Sequence, residues 1–171
     1  MMYTYSMDIL IRLLADGLVI LIALVGVGAL LLKTPVKDRY DRFTRVFMAG
    51  ITSYILAKFI GSLWQPAELR PFEQLGLDPG AAYLNNPGFP SDHALLAFFL
   101  VFAVWFATKN RAITIVLATL TVLMCLGRVL ALVHAPLDVV GSLVIAALGA
   151  VWYVGYAKNS LRRTVAKRAK K

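Results

Sequence analysis

Long apolar stretches alternate with short polar segments along the whole chain, and this alternation predicts membrane helices. A helix needs about 20 mostly apolar residues to cross a hydrocarbon core roughly 30 Å thick. Five stretches approach or reach this length, and we predict helices at 9–32, 46–64, 92–107, 112–133 and 137–157. The predicted fold class is an all-α, polytopic membrane helix bundle with about five transmembrane helices, formed by one integral membrane domain over residues 1–171.

The two ends of the predicted bundle carry further local signals. Arg12 and Asp16 are four residues apart and can pair on one helix face. In a second interpretation, residues 3–16 form a short interfacial helix within an N-terminal segment 1–16, ahead of the span proper. In the last helix, small residues recur at Ser142, Ala146 and Ala150, a stripe that favours close helix packing.

Composition and charge agree with a membrane protein and determine its predicted orientation. Hydrophobic residues make up 60% of the chain, against about 45–50% in soluble domains. The net charge is +9, but 14 of the 18 Lys and Arg residues lie in 33–45, 108–111 and the basic tail 158–171. These segments share one side, so the positive-inside rule places them in the cytoplasm. We therefore expect a multi-pass cell-membrane protein with its N-terminus outside, its C-terminus in the cytoplasm and no nucleic-acid partner.

Four cations and the only two histidines remain once those segments are set aside. Ionisable residues within membrane spans are costly, so each is a candidate for a functional role. At about 1.5 Å per residue, Lys58 lies roughly 18 Å and Arg128 roughly 24 Å above the inner ends of their helices. Both approach the outer surface, where His93 and His134 begin two other helices and where Arg70 lies in the loop. These groups are predicted to share one extracytoplasmic rim, and the fourth cation is Arg12.

The spacing around the second histidine suggests a nucleophile. His134 and Asp138 are four residues apart, so one side chain can hydrogen-bond the other. Pro136 suits the first turn of a helix because its missing N–H costs nothing there. Asp138 can then fix the tautomer of the imidazole and leave the opposite ring nitrogen free to attack.

The other rim residues suit an anion. Ser91 is a good N-cap, and the helix that it opens offers free N–H groups to a phosphate. Arg70 and Arg128 can hold phosphate oxygens as planar forks, and Lys58 can add a point charge. Positioning and charge neutralisation dominate phosphoryl transfer, so this set of residues indicates that chemistry.

Two sequence segments resemble motifs of a known family, the type 2 phosphatidic acid phosphatases or PAP2 superfamily. The family patterns are Pro-Ser-Gly-His and Ser-Arg-x5-His-x3-Asp. The chain has Pro90-Ser91-Asp92-His93, with Asp in place of Gly. It also has Gly127-Arg128-x5-His134-x3-Asp138, with Gly in place of Ser.

The first family motif, Lys-x6-Arg-Pro, is matched less well. After Lys58 and six intervening residues comes Gln65-Pro66, whereas Arg70-Pro71 follows five residues later. We favour Arg70 for the arginine's place because it is the only arginine in that loop and its proline is retained. Gln65 is the alternative. The family usually has six spans, so a five-span chain lacks a helix ahead of the catalytic core.

The resemblance implies a two-step dephosphorylation that uses no metal and no cofactor. His134 would attack phosphorus to form a phosphohistidine, oriented by Asp138, while His93 would protonate the leaving oxygen and then activate water. The phosphoryl oxygens would be held by Lys58, Arg70, Ser91 and Arg128. The sequence "RPF…FPSDHA" is most similar to the motifs of the bacterial undecaprenyl-diphosphate phosphatases of the family.

The expected partners are therefore a membrane lipid phosphate and the bilayer. Phosphatidylglycerophosphate and phosphatidic acid are alternative substrates, and the sequence does not indicate an oligomeric state. A non-catalytic binder or transporter of lipid phosphates would use the same cationic rim, although it would not need the His134–Asp138 pair. A vanadate-dependent peroxidase shares the motifs, but five hydrophobic spans argue against it.

Overall fold

The computed structural model describes residues 8–86 and 88–154, and these ranges contain helices and no strand. The described helices are α1 Asp8–Lys33, α2 Arg39–Leu63, the short α3 Pro71–Gln74, α4 Asp92–Thr108, α5 Arg111–Leu130 and α6 Pro136–Gly149. The predicted all-α bundle is confirmed. The basic tail 158–171, the end of the last predicted helix and residues 1–7 of the N-terminal segment lie outside the described residues.

Within residues 8–86 and 88–154, four helical segments are long and apolar enough to cross a membrane, and they indicate a membrane protein. They are Asp8–Lys33, Val36–Leu63, Arg111–Leu130 and Pro136–Val154. The remaining long helix, α4, is apolar but has only 17 residues, a length of about 26 Å. Two boundaries differ from the prediction. The second span begins near residue 36 rather than 46, and α5 ends at Leu130, where a turn over 131–135 follows.

Helix α4 lies at the centre of the bundle, because it packs against α1, α2, α5 and α6. Eight of its residues are buried, on several sides of the helix. A helix that is apolar all round belongs in an interior. The surrounding helices instead expose large apolar side chains, among them Leu24, Leu32 and Phe47. Such a surface is costly in water and suits contact with lipid.

The first helix is continuous from Asp8, so its described part is not a separate interfacial helix. A π-helical segment, Leu13–Gly17, interrupts the α-helical hydrogen bonding. Asp16 lies in this segment and pairs with Arg128 of α5, not with Arg12 four residues earlier. The proposed Arg12–Asp16 pair is therefore absent, because the π segment and the packing of α1 on α5 bring a buried partner to the carboxylate.

The two ends of the bundle differ in composition. At one end, Arg42 Nη1 donates to Ala107 O of α4 at 2.7 Å, and Arg45 Nη1 donates to Trp152 O at 2.7 Å. These contacts join the start of α2 to the far ends of α4 and of the last span. We call this the basic end, since segments 33–45 and 108–111 both lie there.

The opposite end, the loop end, is formed by the connection 64–91 and the turn 131–135. The connection folds back over the helices: Phe72 N donates to Leu132 O at 3.0 Å, and Gly80 N donates to Ala131 O at 3.0 Å. A small apolar cluster fixes it there, formed by Ala15, Phe72, Ala81, Ala131 and Val133. This cluster ties α1, the connection and the end of α5 into one surface.

Small residues bring α6 close to its neighbours. Ser142 and Ala146 are buried, as the small-residue stripe predicted, and the buried side continues at Gly149 rather than Ala150. The Ser142 hydroxyl donates to Ser91 O at 2.9 Å. This bond ties α6 to the residue that opens α4, and so positions the candidate site.

Candidate active site

The beginnings of α4 and α6 are bonded to each other at the loop end. Ser91 N donates to Asp138 O at 3.3 Å, in addition to the bond from Ser142. Ser91 is the N-cap of α4 and is fully buried, with its hydroxyl accepting from Ala94 N at 3.5 Å. The two motif segments, Pro90–His93 and Gly127–Asp138, therefore meet through residues 47 positions apart in the sequence, although the Ser91 hydroxyl serves the helix cap.

His134 is held by Asp138, as the spacing predicted. The distance from His134 Nδ1 to Asp138 Oδ2 is 3.2 Å, and the same oxygen accepts from Ala135 N at 2.9 Å. Since α6 begins at Pro136, the imidazole lies in the turn ahead of the helix and the contact crosses the helix N-terminus. Both side chains are buried. His134 Nε2 makes no hydrogen bond to another described residue.

The surroundings of His134 favour its neutral form. Burial lowers the pKa of the imidazole below its ordinary value, and the positive charges of Arg128 and Arg70 act in the same direction. The hydrogen bond to Asp138 opposes this shift without reversing it. A neutral imidazole with Nδ1 held and Nε2 available is the form that attacks an electrophile.

His93 lies in the first turn of α4 and is half-buried. The charges of Arg128 and His134 both act on its imidazole, so the three groups lie within electrostatic range of one another. The only two histidines of the chain are thus at the same end of the bundle.

Arg128 is the most deeply buried cation of the site, with 1% of its surface exposed. Its Nη1 donates to Asp16 Oδ1 and to Ala82 O, each at 2.8 Å. Its Nε is buried and has no hydrogen-bond partner among the described residues. One part of the guanidinium is therefore fixed by the protein, while another retains an unused donor.

Arg70 lies beside the motif residues but is tied to backbone carbonyls. Its Nη1 donates to Val133 O at 2.6 Å, and its Nη2 donates to Leu84 O at 3.2 Å and to Asn86 O at 3.1 Å. A Cβ added at Gly88 would lie 3.5 Å from Asp138 Oδ2 and 4.0 Å from Arg70 Nη1. Arg70 therefore braces the connection 64–91 next to His134.

Gln65, the alternative to Arg70, makes hydrogen bonds to backbone atoms. Its amide nitrogen donates to Phe89 O at 3.0 Å and to Gly61 O, and its oxygen accepts from Phe89 N at 3.1 Å. These bonds use both amide atoms to join the end of α2 to the segment before α4. Arg70 stays the predicted arginine of the first motif, with Gln65 as the alternative.

Lys58 is not free: it pairs with Asp92. The distances from Lys58 Nζ to the two Asp92 carboxylate oxygens are 2.8 and 3.1 Å, and 46% of the lysine side chain is exposed. Asp92 stands where the family motif has glycine. The lysine predicted to bind phosphate therefore already has an anionic partner.

Two acidic residues at this end, Asp16 and Asp92, were not predicted to contact the site cations. Asp92 lies in the first turn of α4, and its contact with Lys58 joins residues 34 positions apart in the sequence. Asp16 was predicted to pair with Arg12. The signal for Asp16 was present, since a carboxylate within an apolar span is a functional candidate by default, but the nearer arginine offered a simpler partner.

The helices and the residues gathered at the loop end are those of a helical membrane protein with a cationic, histidine-containing site. A family model described as "PAP2 superfamily" matches residues 43–162. The chain belongs to this family. Its members are phosphatases, which supports a phosphoric ester hydrolase in general terms. No curated protein and no solved structure matches the chain.

The matched segment includes all three motifs but not α1, so the contact of Asp16 with Arg128 joins a residue outside the family match to one inside it.

We expect the substitution Asp92→Asn to strengthen the binding of inorganic phosphate by roughly 1.4- to fivefold, because half-exposed ion pairs of this kind contribute about 0.2–1 kcal/mol. The substitution releases the Lys58 ammonium to the ligand. Thermal stabilisation of the purified protein across a phosphate titration measures the change. Asp78→Asn is the matched control, since Asp78 is an exposed acid of the same connection. Equal phosphate affinity in all three proteins would show that the Lys58–Asp92 pair does not limit binding.

Proposed function

We propose that this protein is an integral membrane phosphatase that hydrolyses a phosphate ester or diphosphate of a membrane lipid through a phosphohistidine on His134. The observation that carries the proposal is the buried His134–Asp138 pair, with Nδ1 at 3.2 Å from the carboxylate and Nε2 left without a partner among the described residues. A protein that only binds phosphate has no need of an imidazole oriented in this way.

The proposed reaction has two steps with opposite proton transfers. In the first, His134 Nε2 forms a bond to phosphorus, the bond from phosphorus to the leaving oxygen breaks, and His93 gives that oxygen a proton. In the second, His93 takes a proton from water, whose oxygen attacks phosphorus and breaks the bond to His134. The products are the dephosphorylated lipid, or its monophosphate when the substrate is a diphosphate, and inorganic phosphate.

The cations of the loop end support stabilisation of the transferring group. Arg128 offers its unpartnered Nε, and Lys58 can exchange its partner Asp92 for a phosphate oxygen. Arg70 contributes its charge and holds the connection 64–91 against the turn that bears His134. Charge neutralisation by fixed donors is the main contribution that a protein makes to phosphoryl transfer. The proposal requires no metal.

An apolar groove on α2 supports a lipid substrate. The groove has a volume of about 580 Å³ and is lined mainly by aromatic and aliphatic side chains between α2 and α4, including Phe47, Tyr54 and Phe99. Tyr54 lies one helical turn from Lys58, and its ring is 5.4 Å from Lys58 Nζ. A hydrocarbon chain lying in the groove would bring its headgroup to the lysine.

Among lipid phosphates, we propose undecaprenyl diphosphate as the substrate, with phosphatidylglycerophosphate and phosphatidic acid as the alternatives. The support is the similarity of the sequence "RPF…FPSDHA" to the motifs of the bacterial undecaprenyl-diphosphate phosphatases. The positive-inside rule further supports a cytoplasmic basic end, and hence an active site at the extracytoplasmic face of the cell membrane.

We expect the protein, purified in detergent with a chelator present, to release phosphate from at least one of the three lipids, with undecaprenyl diphosphate the best. His134→Ala should lower kcat by about 10³-fold or more, because it removes the nucleophile. Acid-labile, base-stable labelling of His134 by radioactive substrate tests the intermediate separately. Tight lipid binding without turnover in the unaltered protein would favour a non-catalytic binder, and a fully active His134→Ala variant would exclude the mechanism.

The pKa of His134 predicts the acid side of the pH profile. The attacking imidazole is lost as pH falls through this pKa, which burial lowers from 6.5. The acid limb of kcat/KM should therefore lie below pH 6.5. Asp138→Asn removes the interaction that raises the pKa, so it should move this limb further towards low pH while reducing the rate roughly 10²-fold. A limb that moves towards high pH, or does not move, would show that His134 does not control it.

A further inference from the structure

Asp16 is the one residue of α1 that touches a residue of the family motifs through an ion pair in the described structure. It lies 27 residues ahead of the segment that the family model matches. Its contact with the most buried cation of the site gives α1 a direct connection to the proposed chemistry.

We infer that Asp16 is a positioning residue of the phosphate site: it fixes the Arg128 guanidinium through Nη1, so that Nε is presented to a phosphoryl oxygen. The inference rests on the proposed function, because the phosphoryl group is the ligand that the guanidinium would hold. It extends the site beyond the three family motifs to the first helix.

The first support is the division of the guanidinium into a used and an unused part. Nη1 donates to both Asp16 Oδ1 and Ala82 O at 2.8 Å. Nε, in a side chain only 1% exposed, has no partner among the described residues. A buried donor without an acceptor is unfavourable, and more so on a charged group. An anionic ligand at Nε would remove this cost and would use the part of the guanidinium that the ion pair leaves without an acceptor.

The second support is that Asp16 is itself fixed. While one carboxylate oxygen holds Arg128, the other accepts from Ala82 N at 3.0 Å. Ala82 also supplies, through its carbonyl, the second acceptor of Arg128 Nη1. These three bonds form a closed ring that joins α1, the connection 64–91 and α5. A guanidinium whose Nη1 is held by two acceptors has little freedom to rotate away from its ligand.

The third support is the local structure that brings Asp16 to this place. The π-helical segment Leu13–Gly17 contains Asp16, and such segments often occur at functional sites. A Cβ added at Gly127 would lie 2.7 Å from Ala15 N and 2.8 Å from the carbonyl carbon of Leu14. Glycine at this position, where the family motif has serine, therefore allows the backbone of α1 to approach Arg128.

A positioning role makes a different prediction from a role in helix packing alone. A carboxylate that only braces α1 against α5 affects stability and the fraction of folded protein, but the KM of the folded molecules stays the same. A carboxylate that orients Arg128 affects how tightly phosphate is held, because a preorganised donor loses less freedom on binding.

The test measures KM, kcat and the inhibition constant of orthophosphate for the detergent-purified full chain with the lipid that it hydrolyses best. We expect Asp16→Ala to raise KM and the orthophosphate constant together, by about tenfold, with kcat per folded molecule changed less than threefold. Asp16→Asn keeps one acceptor oxygen and should give a smaller rise, which keeps the test usable if Asp16→Ala fails to fold. Asp8→Asn is the matched control, an exposed acid at the start of the same helix, and should leave both constants unchanged.

The substitution Arg128→Lys shows whether Asp16 acts through this arginine. In the Arg128→Lys background, Asp16→Asn should raise neither constant further. Unchanged constants for Asp16→Asn in the otherwise unaltered protein, or effects that multiply in the double variant, would overturn the inference while the phosphatase activity stands. An unaltered protein without phosphatase activity would overturn the proposed function and, with it, the role given to Asp16.

Discussion

Burial of charge in an apolar bundle is the constraint on which the loop end depends. A guanidinium that is 1% exposed loses nearly all of its hydration, and only hydrogen-bonded anionic or carbonyl partners offset that loss. Arg128 obtains them from α1 and from the connection 64–91, and Arg70 obtains them from the turn before α6 and from the same connection. The hydrogen bonds that these two buried arginines require therefore fix the connection 64–91, which has little regular secondary structure of its own.

The same constraint joins packing to chemistry. Glycine at 127 lets α1 reach the arginine beside it, and the Ser142 hydroxyl ties the start of α4 to α6. Through these contacts, the two histidines come to one end of the bundle. The hydrogen bonds between the arginines of the candidate site and the backbone carbonyls therefore also hold the connection 64–91 against the helices at the loop end.

Much of this arrangement follows from the sequence, and the reasons for the exceptions are physical. Hydrophobic runs indicated the helices, and the spacing of His134, Pro136 and Asp138 indicated a contact that depends only on local geometry. The partners of Asp16 and Lys58 were not indicated, because they lie 112 and 34 residues away and depend on how helices pack. The predicted start of α2 is too late in the sequence, because the first turns of this helix are polar and a search for apolar stretches does not include them.

A structure with bound orthovanadate, a phosphate mimic, tests the central claim most directly. Our account predicts vanadium within bonding distance of His134 Nε2, a vanadate oxygen on Arg128 Nε, His93 facing the opposite apical oxygen, and the Arg128–Asp16 pair still in place. Vanadate bound at the basic end, or bound at the loop end without contact to either histidine, would contradict it.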